Sequence, residues 1–172
     1  MSPTGQQHRL QPMPRTTRET ERWLTPRWVL DPLGHFDLDP CGAPGWPTAD
    51  EVYTPETHGD GLSLPWHGRV WMNPPYGSVM GAWLERMAHH GHGTALIFAR
   101  TDTATSFHDY VWDAATALLF LRGRITFLQP DLSRPIANSG AASVLIAYGD
   151  EDAEILAGCG LAGKFIRLEV AA

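Results

Sequence analysis

Short apolar runs in this chain alternate with amphipathic stretches, and this alternation constrains the fold most. Phe36-Asp37-Leu38-Asp39, Arg69-Val70-Trp71-Met72, residues 94–99, residues 117–121 and residues 143–148 read as strands. Residues 78–89 carry Val79, Trp83 and Met87 at helical spacing, and residues 105–115 carry Phe107, Tyr110 and Val111 on one face. Residues 125–128 read as a further strand beside residues 117–121. Asp150 reads as the N-cap of a short acidic helix ending near Gly158-Cys159-Gly160, and residues 164–170 as a closing edge strand. Strands alternating with helices predict an α/β domain with a mostly parallel central sheet and helices on both faces. Ligands of such sheets sit outside the carboxyl ends of the strands, where Asp39-Pro40 and Asn73-Pro74 would fall.

With 172 residues there is room for one domain. Residues 1–21 are polar, bear prolines and lack periodicity, so they read as a flexible tail, with residues 22–172 as a single domain. Through Arg22 the tail has four arginines against two glutamates, a net of +2, which leaves −8 for the rest of a chain whose formal charge is −6. This balance argues against bulk coating of nucleic acid but leaves room for a local basic strip. Lys164 is the sole lysine, so arginine supplies almost all positive charge. The two cysteines, Cys41 and Cys159, lie far apart, and no signal peptide or bilayer-spanning run is read. Neither a disulfide scaffold nor a cysteine zinc site is expected, and a cytoplasmic protein without membrane contact is the simplest reading.

Proline, glycine and tryptophan concentrate between Trp23 and Trp83, which marks that segment as the place to look for function. Its centre is Asn73-Pro74-Pro75-Tyr76, after a strand and before a helix. Two prolines hold the backbone extended and lack N–H groups, so nearby carbonyls can point outward. The Asn73 side-chain oxygen and the Pro74 carbonyl can accept both hydrogens of an exocyclic amine, and Tyr76 can stack on an aromatic ring. The tetrapeptide could equally be a rigid turn with a packed tyrosine; its place at a strand's carboxyl end favours a site.

This tetrapeptide resembles the Asp/Asn/Ser-Pro-Pro-Tyr signature of amino-methyltransferases that use S-adenosylmethionine. Thr25-Pro26, Asp37-Leu38-Asp39-Pro40-Cys41, Asp60-Gly61-Leu62, Trp66, and Arg69 through Gly77 narrow the resemblance to the phage-type DNA N6-adenine methyltransferases, as do Arg100-Thr101-Asp102-Thr103 and Gly123-Arg124-Ile125-Thr126-Phe127. The likeness covers roughly residues 23–130. It implies a trimmed Rossmann-like class I methyltransferase fold and site-specific methylation of adenine N6 in double-stranded DNA on a flipped base, as in restriction–modification. Asn73, Pro74, Pro75 and Tyr76 would be catalytic; Thr25, Pro26, Asp39, Pro40, Cys41, Asp60, Leu62 and Asn73 would bind S-adenosylmethionine. Asp39 would meet the cofactor's amine, Asp60 its adenine, and Thr25-Pro26 its carboxylate; otherwise Thr25-Pro26 caps a helix. Asn at the first signature position favours adenine over cytosine N4.

The chain departs from the commoner cofactor loop. Ala43 stands where a first glycine is usual, and the stretch before Asp60 is too short for a full helix. Cytosine N4, a protein glutamine amide, or a nonenzymatic cofactor- or DNA-binding remnant are the alternatives. Cys41 reads as a small packing residue, and His89-His90-Gly91-His92 as the cationic end of a helix rather than a metal site. Arg124 reads equally as a phosphate contact or half of an ion pair. No residues remain for a target-recognition domain, so base readout would fall to residues 129–142 or 44–58, to the tail, or to a second copy in a homodimer.

Overall fold

A computed structural model describes residues 23–129 and 140–169. The expected tail, most of the 129–142 segment and the end of the last strand lie outside these residues. One seven-stranded sheet organises the chain: β1 (Leu38–Asp39), β2 (Glu51–Val52), β3 (Val70–Met72), β4 (Gly93–Phe98), β5 (Ala117–Leu121), β6 (Ser143–Tyr148) and β7 (Gly163–Arg167), in the spatial order β2-β1-β3-β4-β6-β5-β7. The helices are α1 (Arg27–Leu30), which runs into a 3-10 turn (Asp31–Leu33), α2 (Met80–His90), a π-helix (Ala104–Trp112) and α3 (Asp150–Gly158).

The sheet is mixed, which corrects the expectation of a mostly parallel one. β2, β1, β3 and β4 pair in parallel, whereas β6 is antiparallel to both β4 and β5, and β7 is antiparallel to β5. Both faces are covered as expected, and the strands alternate between two apolar layers. Val70, Met72, Ala95, Ile97, Leu118, Val144 and Ile146 meet α2 and the π-helix through Trp83, Leu84, Met87, Phe107 and Val111. Trp71, Leu96, Leu119, Leu145 and Ala147 face the other way, onto Val29 and Leu30 of α1 and Ala153 and Leu156 of α3.

Particular boundaries moved. Residues 125–128 form no strand beside β5. Ile125 and Phe127 are buried, and Leu128 instead exchanges two backbone hydrogen bonds (2.9 Å each) with Leu24. Asp150 is the first residue of α3, with Gly149 at the cap position and no side-chain cap bond. Pro26 occupies the N-cap of α1, again without a side-chain cap bond, so the helix starts one residue later than the Thr25 cap reading places it. The helix over 105–115 is π-helical, with the Asp113 N–H donating to the His108 carbonyl five residues back (3.0 Å). α2 ends at Gly91, which takes the left-handed conformation (φ 72°) that glycine adopts without strain. β3 and β4 lie so close at Gly93 that a Cβ there would fall 2.1 Å from the Val70 carbonyl.

At the amino end of the sheet sits a buried ion pair. Arg69 donates to Asp152 from Nε (3.0 Å) and Nη2 (2.9 Å), and to the Leu33 and His35 carbonyls from Nη1. Thr94 donates to the same carboxylate (2.6 Å), and the guanidinium lies 4.1 Å from the centre of the Phe36 ring. His90 and His92 are drawn to neighbours rather than to each other: His90 meets the Gly68 carbonyl (2.8 Å) and His92 the Glu151 carboxylate (2.9 Å).

Candidate active site

A cavity of about 650 Å³ opens at the carboxyl ends of β1 and β3. This is the volume of a small-molecule site, and strand ends of an α/β sheet are where such sites form. Thr25, Asp39, Pro40, Cys41, Asp60, Leu62, Asn73, Pro74, Pro75 and Tyr76 all line it. Pro26 is the exception among the residues expected there; it holds the start of α1. Trp71 is in the lining, whereas Trp66 stands behind it, stacked on the lining residue Trp83 at 6.1 Å.

Asp39 ends β1 almost fully buried. The Cys41 N–H donates to Oδ1 (3.0 Å) and the Thr48 hydroxyl donates to Oδ2. Burial raises the carboxyl from its ordinary value to about 6, with the Thr48 and Cys41 hydrogen bonds opposing the shift. The groups packed around this turn leave no room for side chains at two glycines. A Cβ on Gly42 would sit 2.3 Å from Val52, and one on Gly61 would sit 1.9 Å from the Pro40 carbonyl. Burial, then the neighbouring Asp39 charge, pushes the Cys41 thiol up, which suits a packing role and not a nucleophile. Between residues 40 and 69 the chain forms β2 and turns but no helix. Asp60 is exposed at the rim, where its side chain accepts the Leu62 N–H (3.0 Å) in a tight turn.

Asn73 leaves β3 into the cavity wall. Its Nδ2 donates to the Trp23 carbonyl and to the Thr25 hydroxyl oxygen, each at 3.1 Å. Its Oδ1 is buried and has no partner. Tyr76 stacks on Phe98 at 4.2 Å between centroids and 17° between planes, its hydroxyl also buried without a partner; burial raises that phenol well above its usual range.

Three contributors had escaped notice in the sequence. Thr48 holds Asp39, Trp46 donates from its indole to the Thr25 carbonyl (3.0 Å), and Trp23 supplies its own carbonyl to Asn73. Nothing periodic marks Thr48 or Trp46; Trp23 stands two residues before Thr25 and offered at least its position.

A family model described as DNA N-6-adenine-methyltransferase (Dam) matches residues 14–156, a span that contains every lining residue of the cavity. The chain belongs to this family. It is therefore a DNA adenine methyltransferase at the level of the family, with DNA as the family's substrate and a methyl donor as its cofactor. No curated protein and no solved structure matches the chain significantly. Among the described residues no helix is long and apolar enough to cross a membrane.

The cavity fits the donor such a family implies. It is large enough for a nucleoside-sized ligand, it holds the buried carboxyl group of Asp39, and its walls carry Trp46, Trp71 and Trp83.

Proposed function

We propose that this protein transfers a methyl group from S-adenosylmethionine to the exocyclic N6 of adenine in DNA, acting on a base turned out of the duplex. The observation that carries this reading is the unpartnered, buried Oδ1 of Asn73 in the cavity wall. A buried acceptor left open costs free energy unless something fills it. An amine hydrogen of the target base would do so.

Bound S-adenosylmethionine supplies a methyl group on a sulfonium, an electrophile toward the N6 lone pair. The chain's own groups hold and orient the reactants. Asn73 Oδ1 and the Pro74 carbonyl accept the two N6 hydrogens, which keeps the nitrogen lone pair out of the ring and aimed along one direction. Pro74 and Pro75 hold those acceptors on a stiff backbone. Tyr76 offers a ring face to the base, since an N6 inside a paired duplex is out of reach. At the other side Asp39 pairs with the cofactor's amine, Cys41 and Pro40 shape the turn around it, and Asp60 with Leu62 forms the rim against its adenine. No residue is needed as a strong base, because the methylated nitrogen is acidic and gives its proton to solvent.

The underlying fold is read as a trimmed Rossmann-like methyltransferase sheet. The binding half rests on β1 and β3, and the stretch before Asp60 is reduced to β2 and turns. The test of function is chemical. Purified protein is incubated with methyl-tritiated S-adenosylmethionine and unmethylated duplex DNA, which is then digested to nucleosides. Label in N6-methyldeoxyadenosine is expected. Label in N4-methyldeoxycytidine, or only in an added protein with an accessible glutamine, would overturn the assignment.

A further inference from the structure

We infer that Thr25 is a positioning residue, which fixes the orientation of the Asn73 amide and does not hold the cofactor. The inference rests on the proposed role of Asn73. A side-chain amide has two ends that differ only in hydrogen bonding, and its neighbours decide which way it faces. Here the decision is one-sided. Both hydrogens of Nδ2 are committed, one to the Trp23 carbonyl and one to the Thr25 hydroxyl oxygen, each at 3.1 Å. A carbonyl oxygen can only accept. An amide turned over would therefore set Oδ1 against the Trp23 oxygen, lone pair to lone pair. The two acceptors hold the donor end down and leave Oδ1 as the unpartnered atom.

Thr25 is itself well anchored for this task. Its side chain is buried, and its carbonyl accepts the Trp46 indole N–H (3.0 Å). The preceding residue, Leu24, is tied to Leu128 by two backbone hydrogen bonds. Its branched side chain has few rotamers, so the hydroxyl stays where the amide needs it. Asn73 is thus oriented by a segment nearly fifty residues upstream, and the Thr25 hydroxyl is its one removable acceptor, since the Trp23 carbonyl belongs to the backbone.

Thr25→Val keeps the shape and removes the acceptor. Single-turnover methyl transfer at saturating S-adenosylmethionine and DNA should fall about tenfold, the worth of one hydrogen bond to a reacting group's holder. The dissociation constant for S-adenosylmethionine should stay within twofold. Thr25→Ser, which restores the hydroxyl, should recover most of the rate. In ¹⁵N-labelled protein the Asn73 side-chain NH₂ pair, assigned by its loss in Asn73→Ala, should shift upfield in Thr25→Val. Weaker cofactor binding with an unchanged saturated rate would overturn the inference in favour of a direct cofactor contact. Loss of rate, affinity and thermal stability together would overturn it in favour of a structural role. An unchanged rate and an unchanged NH₂ signal would also overturn it. Should the wild-type protein transfer no methyl group to adenine, the functional reading fails, and the NH₂ signal still decides whether Thr25 orients Asn73.

Discussion

Asp39 is the residue at which the fold and the proposed cofactor would meet. Its carboxyl is lifted to about 6 by burial, so it is protonated below pH 6 and mostly ionised at neutral pH. Ionising it in the fold is unfavourable relative to the unfolded chain, and this contribution to stability is lost as pH rises from about 4 through 6. A cationic amine beside the carboxylate reverses the preference. Affinity for S-adenosylmethionine should therefore strengthen as pH rises through 6. Calorimetric titration at pH 5 should give binding about tenfold weaker than at pH 7.5, and Asp39→Asn should flatten that dependence. A dependence that runs the other way would separate Asp39 from the amine. Most of the cavity-lining residues named from the sequence were legible because they cluster in one proline-, glycine- and tryptophan-rich segment at the ends of two strands. Their supports were not. Thr48 reaches Asp39 only because residues 40–50 fold back over the end of β1, and no spacing rule encodes that return.

The elements divide along the same line. β3, β4, β5 and β6 were readable from continuous apolar runs, and β5 and β6 have the boundaries that the runs predict. Their directions were not readable. A strand buried on both faces has the same composition whether its neighbours run with it or against it, so the insertion of β6 between β4 and β5 left no mark. β2 is two residues long and carries no pattern at all. The buried Arg69–Asp152 pair is the joint between elements that sequence cannot show. It draws β3, β4, α3 and the turn after α1 together at the end of the sheet opposite the cavity. Asp152→Ala would strand a guanidinium in the interior. It should lower unfolding stability by about 3–5 kcal/mol, measured as a reduced midpoint in urea. A loss below about 1 kcal/mol would mean that solvent reaches Arg69.

At the scale of the molecule, the acidic balance and small size first weigh against a DNA partner. Membership of the adenine methyltransferase family, over residues 14–156, resolves that tension. The sheet and its two apolar layers organise the described residues, and the cavity at the ends of β1 and β3 is lined mostly by apolar and aromatic groups, with Asp39 and Asp60 as its charged residues. An acidic protein can act on DNA when local contacts and shape carry the encounter, at the cost of a strong dependence on salt. One atom carries the proposed chemistry, the open acceptor of Asn73. The most direct measurement compares single-turnover methyl transfer to duplex DNA by wild-type protein and by Asn73→Ala, with S-adenosylmethionine affinity measured on the same samples. The prediction is a loss of rate of about 10²-fold or more with affinity preserved within threefold. Near-wild-type turnover by Asn73→Ala would contradict it.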